Sequence, residues 1–392
     1  MRRSLPILLL ALAAVAPLAQ AATVAPAPIT VAEAKALLRI ASKLSGLPAK
    51  RAVPVVAESP ARFRQRRLAS VDRLYPASDQ SYDDVLYTAL GVTRGRGLLR
   101  PALVTSQAEQ ALYDPLTRKV YVARGRATRA AILRQLVHAL QDQSFDLGRL
   151  RALAGSRDAR LAASAAVAGH ASLVAQLPGA RAPSSHGGPR LDRFLELENG
   201  FPTTVGLRFA VNLRNLGGNK AVFGALRRFP ETTEQVFHLD KFLGREQAVP
   251  IVLPVNAAGL TLDGDDTFGE LDVRALLAVF DVPRLDHVGE GWGGGRSAIY
   301  RSGARETAAL ALDWDSARDA LQWAEAVQVY VNEAFDADRP GLPEPTPCSA
   351  TVCWNIDGRA VAFERVGART TLVLGTDVDA SAQLARAILG EA

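Results

Sequence analysis

The chain has 392 residues, 48% of them hydrophobic and 22% charged, which is ordinary globular composition and long enough to bury a large core. Its net charge of +6 comes mainly from arginine and is spread along the chain instead of gathered in a block. With no nucleic-acid motif and no interleaving of aromatic and basic residues, this diffuse basicity favours weak attraction to anionic envelope polymers or lipid surfaces and excludes nucleic-acid reading.

Residues 1–21 read as a secretory signal peptide: Arg2 and Arg3 form the charged start, Leu5 to Leu18 the apolar stretch and Ala19-Gln20-Ala21 the cleavage site. No later run approaches the roughly 20 apolar residues of a membrane span. The expected product is therefore extracytoplasmic, beginning at Ala22, with no transmembrane segment in the mature chain. After a spacer over 22–29, Thr30-Val31-Ala32-Glu33 is a capping box opening a helix that ends near Gly46, with Val31, Ala34, Leu38, Ala41 and Leu44 on one face. A second helix starts at Ser59-Pro60, and a third runs from Tyr82 to Leu90, stopped by Gly91. Short β-prone runs cover 102–104 and 120–123, the second just after the Asp114-Pro115 turn.

The next stretch, Thr128 to Leu147, reads TRAAILRQLVHALQDQSFDL. Leu133, Leu136, Val137 and Leu140 form the stripe of an amphipathic helix, and Arg134 and His138 share one flank a turn apart. The spacing is that of H-E-x-x-H, in which two histidines hold zinc and the glutamate is the general base. Here the five residues are Arg134, Gln135, Leu136, Val137 and His138.

LVHALQDQSFDL, with YDPLTRKVYV before it and VAGHA, PETTEQVFHLDKF, FGELDVRALL and GWGGGRSAIY after it in the same order, resembles a family of bacterial extracytoplasmic zinc metallopeptidases, across about residues 31 to 335. That family carries HEL(V/T)HALQDQ, EGDA, TEQV.H and GWGGD motifs. The resemblance implies an α+β, mostly helical, zincin-like domain over 30–338, and it aligns a metal ligand with Arg134, the general base with Gln135, the retained histidine with His138, and a third ligand with Ala168. The acid after the EGDA glycine falls on His170 and that of GWGGD on Gly295. In such folds an edge strand near the metal helix pairs with extended substrate. The segment 113–122 has that place in the order, although an ordinary hairpin is the plainer reading.

A guanidinium has no acceptor lone pair and cannot ligate. It also repels: a unit charge about 5 Å from a dication costs on the order of 6 to 7 kcal/mol at an effective dielectric of about 20. Gln135 can orient a water but cannot take its proton. The chain is accordingly expected to be a degenerate member that binds peptide or envelope polymer, with no cofactor. Zinc is expected only in an alternative in which His138 recruits His170, His238 or a nearby glutamate, and a purely structural envelope role is a third reading. Arg134 is expected to fill the metal position and pair with a carboxylate, Glu234 being the first candidate.

The small-residue helix over 158–176 is expected to lie directly against the motif helix, with Ala168 beside His138. His170, two residues on, should point away from the cleft, as a surface or satisfied buried histidine unless it binds metal. The loop 177–190 carries His186, and a helix from Leu191 to Leu216 is expected to break at Phe201-Pro202. Glu234, Gln235 and His238 either line the cleft or serve as caps and core hydrogen bonds. Glu270 reads as a first-turn acid before it reads as cleft wall. Gly291 to Gly295 is expected to turn into a strand over 297–301, with a second over 307–314, then a helix capped by Asp315 or Ser316. A Pro-rich hinge over 339–347 leads to a small C-terminal β-hairpin and helix over 348–392, in which Cys348 and Cys353 form a local disulfide, as suits an exported chain.

Overall fold

The structure is a computed structural model that describes residues 29–105, 109–153, 156–176, 188–336 and 341–390. The signal-peptide reading, the spacer up to residue 28, His186 and part of the expected hinge lie outside the described residues. The class is α+β, and no helix among the described residues is long and apolar enough to cross a membrane.

The first half is helical around a small sheet. Helix α1 (Val31–Ser45) opens on the Thr30/Glu33 capping box and closes on Gly46 in the left-handed region. Its inward face is Ala34, Ala41 and Ser45, whereas Val31 and Leu44, expected on that face, are exposed. Strand β1 (Val55–Glu58), helices α2 (Pro60–Leu74) and α3 (Ala77–Ala89), helix α4 (Leu99–Thr105), and strands β2 (Ala111–Asp114) and β3 (Lys119–Ala123) follow. The run at 102–104 is thus helix, not strand. The Asp84 carboxylate accepts hydrogen bonds from the Gly97 and Leu99 N–H groups, capping α4 from a distant helix. Strand β3 is central, parallel to β1 and antiparallel to β2, so β2 is an edge.

Helix α5 (Arg129–Phe145), capped by the Thr128 hydroxyl, buries Ile132, Leu136, Val137 and Leu140 against this sheet and α1. Helices α6 (Arg157–Ala175) and α7 (Arg190–Arg227) come next. The small residues of α6 face α7 more closely than α5. A Cβ on Gly169 would lie 2.0 Å from the Gly206 carbonyl oxygen, and one on Gly206 would lie 2.4 Å from that of Ala165. Helix α7 does not break at Pro202 but runs through it and kinks at Gly217 and Gly218, where Gly218 has φ 59°.

Helices α8 (Thr233–Phe237) and α9 (Leu239–Gly244) lead to the second half. There strands β4 (Asn256–Ala257), β5 (Leu260–Thr267), β6 (Trp292–Ser302), β7 (Arg305–Trp314), β8 (Val352–Ile356), β9 (Arg359–Val366) and β10 (Arg369–Gly375) form one seven-stranded sheet in the order β4-β5-β6-β7-β10-β9-β8. Helices α10 (Glu270–Val279), α11 (Leu285–Glu290) and α12 (Ala317–Val331), with α3, cover one face, and α13 (Val378–Leu389) covers the other. Ser316 is the cap of α12.

Two expectations change here. Gly293, Gly294 and Gly295 of GWGGG belong to β6 itself, whose register shifts between Trp292 and Gly294, while Gly291 ends α11. A Cβ on Gly295 would meet the Phe268 carbonyl oxygen at 2.2 Å, so the acid that the resemblance places there has no room. The C-terminal segment is also no appendage, because β10 pairs with β7 along six residues and three strands, not a hairpin alone, extend the main sheet. The Cys348–Cys353 disulfide is formed, next to the start of β8.

Candidate functional site

Arg134 and His138, a turn apart on α5, both face a cleft of about 780 Å³. Residues 109–115 leading into and along β2 form one wall. Ala131, Arg134, Gln135 and His138 of α5 form the floor, and the far side is Ser164, Val167 and Ala168 of α6 with Asn199, Pro202 and Thr203 of α7. Ala168 and His138 therefore share the cleft, as the resemblance implies, and His170 does not line it.

Each position that the resemblance aligns has a different job from the one its spacing suggests. Gln135 is 4% exposed, and its side-chain oxygen accepts the Tyr113 N–H of edge strand β2 at 2.9 Å. The Tyr113 hydroxyl donates to Asp142, also on α5, at 2.7 Å. The general-base position is thus a strut that fixes the edge strand to the helix. Arg134 pairs with Glu109, which precedes β2, and not with Glu234.

His138 Nδ1 lies 2.9 Å from the Gln141 side-chain oxygen, which only accepts, so Nδ1 carries the proton and Nε2 keeps the lone pair. The Gln141 amide nitrogen donates to the Val167 carbonyl at 3.0 Å and to His170 Nδ1 at 2.9 Å. His170 is buried and satisfied, and Gln141 links the two rings. Burial pushes both imidazoles down to about 4, with Arg134 adding to the effect at His138 and His138 adding to it at His170. Both are neutral near pH 7.

These residues do not fit catalytic zinc, which takes three protein ligands and a water. His138 offers one lone pair. His170 turns its own toward Gln141, Ala168 has no donor atom, and the Arg134 cation sits a turn away. The acids that line the cleft are Glu109, bound to Arg134, and Asp114, which lies 3.9 and 3.8 Å from Arg66 and Arg73.

Glu234, Gln235 and His238 are not cleft residues. Glu234 is buried at the start of α8 and bonds Lys241 at 2.5 Å. The Lys241 ammonium also meets Glu246 at 2.9 Å and Asp315 at 2.8 Å, so a lysine fills the cage that three carboxylates could offer a cation. Gln235 accepts the Glu231 N–H and donates to the Glu246 carbonyl. His238 lies 3.1 Å from Glu270, which raises its pKa and which also pairs with Arg274. Glu270 is a first-turn acid of α10, fully buried.

Sequence reasoning missed Glu109, Tyr113 and Gln141. Gln141 stands in the quoted HALQDQ run, one turn after His138, and that i,i+3 spacing is the signal that could have found it. Glu109 carries no local signal, since its partner lies 25 residues away.

A family model described as a domain of unknown function, DUF8575, matches residues 259–385, which is β5 through most of α13 and none of the cleft. No curated protein and no solved structure matches the chain.

Proposed function

We propose that this chain is a secreted, catalytically degenerate relative of zincin-like metallopeptidases whose cleft holds an extended peptide along β2 without cutting it. The observation that carries the reading is the bond from the Tyr113 N–H to Gln135, which turns the general-base position into a support for the edge strand. The Ala123 N–H bonds the Gln110 carbonyl at 2.9 Å, and antiparallel alternation then turns the backbone polar groups of Ala111 and Tyr113 away from β3; with the Tyr113 N–H held by Gln135, the Ala111 N–H and C=O and the Tyr113 C=O are left for a ligand strand. An added strand pairs with such an edge by main-chain hydrogen bonds, largely independent of sequence. Hydrolysis has no support among the described residues: the cleft offers a guanidinium and a neutral imidazole, and its two carboxylates, Glu109 and Asp114, are paired with Arg134 and with Arg66 and Arg73.

The test uses two fluorescein-labelled peptides, Thr-Val-Glu-Val-Thr-Val and Thr-Val-Gln-Val-Thr-Val, followed by fluorescence polarisation and mass spectrometry with zinc added. Saturable binding with the peptide mass unchanged is expected. Ala168→Trp, which fills the cleft from α6, is expected to abolish binding while circular dichroism stays that of the parent. Cleavage fragments, or binding indifferent to Ala168→Trp, would overturn the reading.

A further inference from the structure

We infer that the cleft selects peptides carrying an acidic residue, and that Glu109 is an internal stand-in for the ligand's carboxylate on Arg134. This rests on the peptide-binding reading and adds the chemistry of the ligand.

The Arg134 side chain is 14% exposed, whereas Glu109 is 47% exposed. A guanidinium cannot shed its proton, so a desolvated one requires an anion. Here that anion is an exposed side chain just before β2, and it is easier to move than the arginine it satisfies. Its grip is also incomplete. Glu109 bonds the Nη2 of Arg134, while Arg134 Nε is buried and has no partner among the described residues. The fork of a guanidinium holds a carboxylate best through two parallel N–H donors. A ligand carboxylate free of the β2 backbone can take Nε and Nη2 together.

A second arginine reinforces the position. Arg67 Nη1 donates to the Glu109 backbone carbonyl at 3.0 Å, and Arg67 Nε is likewise buried without a partner among the described residues. Two guanidinium groups with unused donors thus flank one residue. Glu109 also borders a recess of about 400 Å³ beside the cleft, where Val71, Leu112, Leu161 and Leu195 stand alongside Arg67, Arg160 and Glu198. Cleft and recess share Glu109, Leu112 and Leu150 among their lining residues, so the ligand's acid is expected next to a bulky apolar side chain. Arg126 adds positive charge to the cleft wall, Arg73 is offset by Asp114, and His138 is neutral, so the local field favours an anion at Arg134 once Glu109 has moved. The β2 edge makes the ligand a peptide in preference to an acidic polysaccharide, since a sugar chain has no N–H ladder to pair with it.

The experiment compares the Glu and Gln hexapeptides on the parent protein, Glu109→Gln and Arg134→Gln. The Glu peptide is expected to bind the parent about tenfold more tightly than the Gln peptide, the ordinary worth of a charged hydrogen bond. Glu109→Gln should tighten the Glu peptide further and leave the Gln peptide unchanged, and Arg134→Gln should erase the difference. Equal binding of both peptides, or weaker binding of the Glu peptide to Glu109→Gln, overturns the inference while leaving the peptide reading standing. Binding of neither peptide overturns both. Polygalacturonate that displaces the Glu peptide at a lower carboxylate concentration than the unlabelled peptide does would replace the peptide by a polyuronate as the ligand class.

Discussion

Replacing Gly169 with valine is expected to lower folding stability by about 3 kcal/mol or more, at the upper end of what overpacking costs. The residue sits where α6 crosses α7, and its added Cβ would lie 2.0 Å from the Gly206 carbonyl oxygen and 2.3 Å from its carbon. Those are backbone atoms, and no rotamer change can relieve the contact. The helices must separate, and the cleft spans both of them, with Val167 and Ala168 on one and Asn199 and Pro202 on the other. Urea denaturation should show the fall in midpoint, and peptide binding should weaken with it. At Gly224 of α7 a Cβ meets nothing within 4 Å, so Gly224→Ala serves as the control and should leave both readouts near the parent's.

Arg157→Met is expected to cost about 3 to 5 kcal/mol, the usual price of removing one partner from a buried ionic group. Arg157, 13% exposed at the N-terminus of α6, meets Asp83 at 2.8 Å, Asp272 at 3.3 Å, and Glu198. Burial already pushes the Asp83 and Asp272 carboxyls up, and the guanidinium is what opposes that push. Without it, three acids from α3, α7 and α10 face one another in a low-dielectric interior. The sign follows: with the cation gone both carboxyls rise further, the folded state holds more protons than the unfolded one, and the variant's deficit grows as pH rises above the ordinary carboxylate range. Combining Arg157→Met with Asp272→Asn should recover part of the loss, and denaturation curves across pH 5 to 8 would check both statements.

The elements read correctly from the sequence are those whose determinants are local. The capping box at Thr30, the apolar stripe of α5, the Ser316 cap and the five-residue separation of Cys348 and Cys353 each lie within a turn or two of chain. What the sequence hid depends on distant partners. Helix α4 replaced a β-prone run because Asp84 caps it and Leu99 and Leu103 enter the core. The 339–347 boundary misled because the pairing of β10 with β7 spans 55 or more residues of chain. In the cleft, the unsuitability of Arg134, Gln135 and Ala168 as a zinc ligand set was legible from the residue types alone. The new partners were not: Glu109 and Tyr113 come from the neighbouring strand, and the guess of Glu234 failed because Lys241 already holds it.

The proposal that α5 forms the floor of a binding cleft without holding a metal is tested most directly by metal content. Residues 22–392, purified without a histidine tag and dialysed against trace zinc, would be analysed by inductively coupled plasma mass spectrometry. The account predicts no zinc above the buffer level, because His138 contributes a single lone pair beside the Arg134 cation. One tightly held zinc per chain would contradict it.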